Sequence, residues 1–354
     1  MKPAHLRFAA VSLVLLAVGL FYFSTIRKGF DWGGDFAQYL EHARNLAEGK
    51  SYAATNFIYN PAAPIGPPCC PPGFPVLLAP VYKGFGMDME AMKAETIAFF
   101  LLSLALVFIL LRRELPLAYG VGLLLFLGFH PYFWGMKDYI LSDFPFLCFL
   151  MMFLIVLQMT YTKDHWIFPA LSGMLLYLCY AVRPVALVLL GVPLLHELVR
   201  HRRIGRKSLV VGTVSVLLIA GQHIALKACR AVQFGLLDYH PAQMAKNLYY
   251  YGYWLMQLFS GALPAATMVL FIVFSLVAAL GFLKRIESMG VLEAFVLLYF
   301  VPILLFPNAQ GLRYLVPVIP FYFFYFFSGL RGITEYLKSG LRWLPATDRA
   351  SDAG

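Results

Sequence analysis

The sequence predicts an all-α integral membrane protein with about ten transmembrane helices and an outer-face loop that carries a juxtamembrane amphipathic helix. Three observations predict it. Hydrophobic residues make up 61% of the 354 and charged residues only 13%, whereas soluble domains carry roughly 25% charged residues. Mean hydropathy is +0.73. The apolar residues also fall in blocks of about 16 to 20 between short charged punctuation, the length a bilayer demands of a spanning helix. These blocks do not alternate with period two, and lipid tolerates no open sheet edge, so the spans are expected to be helices.

Ten blocks fit, at 8–26, 96–111, 116–133, 144–161, 167–182, 184–199, 208–226, 263–283, 290–307 and 314–330. The first follows Lys2, His5 and Arg7 and resembles a secretory signal. It runs about 18 residues, however, and ends Phe21-Tyr22-Phe23-Ser24-Thr25 without a small-x-small cleavage site, which fits an uncleaved span. The stretch 167–199 is too long for one crossing. A single helix would extend about 50 Å at 1.5 Å per residue, against a hydrocarbon core of roughly 30 Å. Two short spans turning at Arg183-Pro184 solve this, because a proline pushes the residue before it out of helical geometry.

Lysine and arginine in the short loops set the orientation. With a cytoplasmic N-terminus, the inside carries Arg112-Arg113, Lys163, Arg200 to Lys207, Lys284-Arg285 and a tail over 331–354, while the short outside turns carry Lys137, Arg183 and Arg313. That distribution obeys the positive-inside rule. It also accounts for the formal charge of +10 without nucleic acid, since no basic stripe with interleaved aromatics stands outside the spans. Residues 1–330 form one membrane domain, and the chain after Leu344 is expected to be disordered.

Two outside segments are long, 27–95 and 227–262. The first opens with an amphipathic stretch, Asp35 to Gly49, in which Phe36, Tyr39, Leu40, Ala43, Leu46 and Ala47 recur at helical spacing before a glycine stop. Such a narrow apolar face suits a helix lying in the interface plane. A proline-dense stretch from Asn60-Pro61 to Phe74-Pro75 follows and is expected to be extended. The second segment holds Leu248-Tyr249-Tyr250-Tyr251-Gly252-Tyr253-Trp254, which fits an aromatic belt at the water–lipid boundary as well as the wall of a sugar or lipid-tail site. The five cysteines make no framework: Cys148 and Cys179 lie in apolar blocks, Cys229 stands alone, and Cys69-Cys70 are adjacent, which suits neither zinc nor an ordinary staple.

The acids locate the chemistry. Asp31, Asp35, Glu41, Glu48, Asp88, Glu90 and Glu95 gather in the first outside segment, with Asp138 and Asp143 in the turn at 131–143. None is expected mid-span, where an ion-coupled transporter would need charge. The work is therefore expected at the outer surface.

There the sequence resembles a known group. The order Gly33-Gly34-Asp35-Phe36-x-x-Tyr39, then Ala43-Arg44-Asn45-Leu46-Ala47-Glu48-Gly49, then Pro71-Pro72-Gly73-Phe74-Pro75 is similar to the first outer loop of GT-C glycosyltransferases. These multi-span enzymes use polyprenyl-phosphate sugars, as protein O-mannosyltransferases and aminoarabinose transferases do. Ser142-Asp143-Phe144-Pro145-Phe146, Arg183-Pro184 and Arg313-Tyr314-Leu315-Val316-Pro317 match in the same order. The resemblance implies inverting transfer from the carrier to an acceptor hydroxyl on a lipid, glycan or protein, with Asp35 as general base and Asp143 as a second acid or acceptor ligand. Arg183 and Arg313 would balance the departing phosphate, and Lys137 is a further candidate contact. On the residues alone, Asp35 and Asp143 fit helix caps equally well, and the two arginines fit helix-end anchors.

No obligatory cofactor is expected. A divalent metal occurs in the wider group, but Asp31 and Asp35 are separated by Gly33-Gly34 and no histidine cluster lies nearby. One departure stands out: the aminoarabinose transferases carry a phosphate-binding lysine before the paired prolines, where this chain has Cys70. The expected location is the inner membrane of a bacterium, an origin assumed from the compact form, with both termini cytoplasmic. Two rival functions are a lipid-linked sugar flippase or other transporter, and a non-catalytic envelope assembly protein.

Overall fold

The computed structural model describes residues 3–29, 35–55, 69–226, 240–260, 263–306 and 311–338. Among these the chain is helical throughout, with fourteen α-helices and no strand. In order they are α1 (Pro3–Ser24), α2 (Phe36–Ala47), α3 (Gly73–Phe85), α4 (Met89–Leu111), α5 (Leu117–Phe129), α6 (Pro131–Met136), α7 (Asp143–Thr162), α8 (Ile167–Val182), α9 (Gly191–His201), α10 (Arg206–Ala225), α11 (Pro241–Met256), α12 (Pro264–Ile286), α13 (Val291–Leu305) and α14 (Ile319–Lys338). Short 3-10 turns at Pro184–Leu190, Gln257–Phe259 and Gly311–Leu315 join some of them.

Six segments are long and apolar enough to cross a membrane: the Arg7–Ser24 part of α1, α4, α7, the Pro184–His201 segment ending in α9, α10 and α12. Helices α5, α8 and α13 are apolar but shorter. The chain is thus a multi-span helical protein of the membrane type, and burial explains why it needs lipid. Helix α7 sits at the centre, with 61% of its apolar window buried, whereas α10 and α12 bury only 17% of theirs. Leu217 and Ile224 on α10, and Val269 and Leu276 on α12, point outward. Apolar surface on that scale is stable only against hydrocarbon.

The core packs through aromatic rings and close glycine contacts. Phe100 of α4 stacks at 5.3 Å on Tyr22 of α1 and at 4.5 Å on Phe144 of α7. Gly281 of α12 and Gly329 of α14 face each other so closely that a methyl group on either would overlap the partner's backbone. Small residues permit this backbone approach, which replaces the hydrophobic driving force that lipid removes.

Several sequence expectations shift here. Helix α4 starts seven residues before 96, because the Asp88 carboxylate caps it by accepting from the amides of Glu90 and Ala91. Glu90 and Glu95 therefore belong to its first two turns instead of a loop. The proline-dense stretch does not stay extended throughout: α3 begins at Gly73 and takes Pro75 in its first turn, where the missing amide costs no helical bond. Residues 56–68 and Cys229 lie outside the described residues. Cys69 is disulfide-bonded, so adjacency did not preclude a staple; Cys70, Cys148 and Cys179 are free. Helix α14 continues to Lys338, beyond the expected end of the last span at 330; the residues after Leu344 lie outside the described ones.

The turn at Arg183-Pro184 forms as expected. Helix α8 stops at Val182, Arg183 is extended (φ −145°, ψ 118°), and Pro184 opens the 3-10 turn leading to α9. The aromatic stretch 248–254 lies within α11, which Asn247 pins by donating to the carbonyls of Leu304 (2.8 Å) and Phe306 (2.6 Å) at the end of α13.

Candidate functional site

Four charged side chains from distant parts of the chain meet at one end of the bundle. Asp143 is the first residue of α7 and almost completely buried, its side chain 1% exposed. Its Oδ2 accepts from Arg313 Nε at 2.7 Å, and its Oδ1 accepts from Arg183 Nη1. Arg313, in the 3-10 turn Gly311–Leu315, also reaches Asp35 Oδ2 through Nη1 at 2.9 Å. The chain of contacts is therefore Asp35–Arg313–Asp143–Arg183. It alternates in sign and sums to zero.

Local structure explains each placement. Arg183 sits at the break between α8 and the 3-10 turn, so its backbone is extended and its side chain is directed to the neighbouring helix ends. The guanidinium lies 5.4 Å above the Tyr314 ring and 6.0 Å above Phe146, which shield it. Burial opposes the charge on both arginines, but the carboxylates outweigh it and hold each guanidinium above its ordinary value. Both stay cationic at any physiological pH.

Asp35 occupies the N-cap position of α2, yet its side chain makes no capping bond; it turns to Arg313 instead. Ser142 likewise makes no side-chain cap for α7, and the Asp143 carboxylate is committed to the two arginines. The geometry thus departs from simple capping at both aspartates. Asp35 is 48% exposed, Arg313 19% and Arg183 12%. The cluster consequently has a buried floor at Asp143 and an open edge at Asp35.

Helix α2 is held against this floor by contacts that the sequence reading did not single out. Tyr39 Oη lies 3.0 Å from Ser142 Oγ, and its ring meets Phe74 edge-on at 5.0 Å. Burial above all keeps the Tyr39 phenol protonated. The signal was present: Asp35 and Tyr39 are four residues apart, hence on one face of a helix, and Ser142 adjoins Asp143. Gly73 completes the fit, because a Cβ there would lie 2.6 Å from the Ala181 carbonyl carbon, two residues before Arg183.

Cys70 sits beside the cluster, with its thiol donating to Gln38 Oε1 at 2.7 Å. Burial pushes the thiol up, so it carries no charge. Its backbone is tied on both sides: Tyr52 Oη donates to the carbonyl at 2.7 Å, and the amide donates to His42 Nε2 at 3.2 Å. The His42 and Tyr52 rings stack at 4.1 Å.

Lys137 is not part of the four. It is fully buried and paired with Asp138, whose Oδ1 also accepts the Arg27 amide at 2.8 Å. Lys137 and Arg27 both lie over the Trp134 ring, at 4.9 and 5.5 Å. This second cluster fastens the end of α1 to the turn preceding Asp143. No grouping of three or more histidine, cysteine or acidic residues suited to a metal occurs among the described residues. Compared with protein-family models and with curated proteins, the chain matches none.

Proposed function

We propose that this protein is a membrane glycosyltransferase of GT-C type, moving a sugar from a polyprenyl-phosphate carrier to an acceptor hydroxyl at the outer face of the membrane. The observation that carries the reading is the Asp35–Arg313–Asp143–Arg183 chain: two arginines anchored by one buried carboxylate, with a second carboxylate at the open edge. In this reading Asp35 takes the proton from the acceptor hydroxyl as its oxygen attacks the anomeric carbon. The bond from that carbon to the phosphate oxygen breaks with inversion, and polyprenyl phosphate leaves. Negative charge builds on the departing phosphate, and Arg183 and Arg313 supply fixed donors for it.

The topology we propose has ten crossings, at α1, α4, α5, α7, α8, the 184–201 segment, α10, α12, α13 and α14. Polar contacts between connecting segments support it by falling into two sets. One joins Arg27 to Asp138, and Asp35, Asp143, Arg183 and Arg313 to each other. The other joins Arg285 to Glu114 and Glu293, Lys207 to Lys163, and Arg200 to Ser288. Each set unites segments that ten alternating crossings put on one side. The disulfide at Cys69 favours an oxidising compartment for the first set.

The test is mass spectrometry of glycolipids and glycans from cells lacking the gene, complemented with wild type or Asp35→Asn. Loss of one sugar on deletion, restored by wild type but not by the inserted variant, is expected. A transporter would retain the sugar with Asp35→Asn, and an assembly partner would show no saturable affinity for the donor. Either result overturns the proposal.

A further inference from the structure

In the structure the carboxylate assigned as base is not free. Asp35 Oδ2 is bound to Arg313 Nη1 at 2.9 Å, the same guanidinium that the departing phosphate needs. Donor phosphate and Asp35 therefore compete for one guanidinium, and the asymmetry of the cluster indicates which of the two gives way. Asp143 grips both arginines from the buried floor, through Arg313 Nε and Arg183 Nη1, so their positions do not depend on Asp35. The Asp35 side chain, 48% exposed, is the one member at the open edge. Its helix, α2, is docked through Tyr39 one turn further along, so the carboxylate can turn away from Arg313 without undocking the helix.

We infer that the Asp35–Arg313 bridge is a latch opened by the donor's phosphate, so that donor binding favours activation of the acceptor. This rests on the glycosyltransferase reading above. An incoming phosphate oxygen takes the Arg313 Nη1 donor, Asp35 swings free, and the freed carboxylate faces the sugar's anomeric side as a competent base. Without donor, Asp35 Oδ2 stays paired with Arg313.

The test measures binding of a short diester probe, farnesyl methyl phosphate, to the full-length protein in detergent. The bridge competes with the probe, so removing it tightens binding. A half-exposed ion pair is worth at most a factor of about five, and Asp35→Asn is expected to lower Kd by up to that factor. Arg313→Gln should raise Kd at least tenfold. Glu41→Gln, which removes the same charge elsewhere on α2, should leave it unchanged. Equal affinity in wild type and Asp35→Asn, or equal tightening by Glu41→Gln, overturns the latch while leaving the transferase reading standing. Absence of saturable binding in wild type and Asp35→Asn alike overturns both.

Discussion

Asp143 and Asp35 touch the same arginine, yet neutralising them should destabilise the protein to different extents. Asp143→Asn keeps the shape but leaves two guanidinium groups facing a neutral amide, one of whose polar atoms is a donor. Removing one partner of a buried ion pair costs about 3–5 kcal/mol. The lower end applies here, because Arg183 and Arg313 retain 12% and 19% exposure and Arg313 keeps Asp35. Asp35, at 48% exposure, belongs with surface pairs worth about 0–1 kcal/mol. At roughly 1–2 °C per kcal/mol for a chain of this length, Asp143→Asn should lower Tm by about 3–6 °C and Asp35→Asn by no more than about 2 °C. Thermal unfolding of the detergent-purified protein, followed by tryptophan fluorescence at one scan rate, measures both. If Asp35→Asn destabilised the protein as much as Asp143→Asn, the division into a buried floor and an open edge would be wrong.

Two further outcomes follow from packing and protonation. Gly281→Ala puts a methyl group into the Tyr325 backbone, so α12 and α14 must separate, at a cost of about 1–3 kcal/mol; an unchanged Tm would show that the crossing is not as close as described. His42 links α2 to the loop after it. Its Nε2 accepts from the Cys70 amide, so its proton sits on Nδ1 and is donated to the Tyr52 carbonyl at 2.7 Å. Burial holds this imidazole below its ordinary value. An unfolded chain takes up a proton near pH 6.5, where the folded chain does not. The contribution is thus complete above about pH 6.5 and declines as pH falls toward the folded value. Wild-type Tm should drop between pH 7 and pH 5, and His42→Gln should flatten part of that slope; parallel curves for the two proteins would contradict the assignment.

How much of this was readable from the sequence depends on the range of the physics involved. Six of the expected spans were legible as long apolar helices, because apolar block length and proline geometry are local properties. The break at Arg183-Pro184, which α8 respects by stopping at Val182, needs only two residues to be predicted. The start of α4 was missed because Asp88 caps it from within a polar stretch that hydropathy reads as loop. The start of α3 was missed for a related reason: proline disfavours a helix interior but is readily accepted in the first turn, where Pro75 stands. Asp35, Asp143, Arg183 and Arg313 were named as candidates because the motifs around them resemble those of GT-C glycosyltransferases. Their pairing could not be named, since Arg313 and Asp143 lie 170 positions apart, and Arg183 and Asp143 lie 40 apart. Lys137 looks like the same kind of residue in sequence, a cation in a short outer turn. What separates it from the arginines is that its counter-charge is its immediate neighbour, Asp138. A cation whose partner is adjacent in sequence needs no other helix to supply its counter-charge. One whose partner arrives from another helix can be shared between carboxylates, and such sharing is what leaves a cationic site that an anionic ligand can compete for.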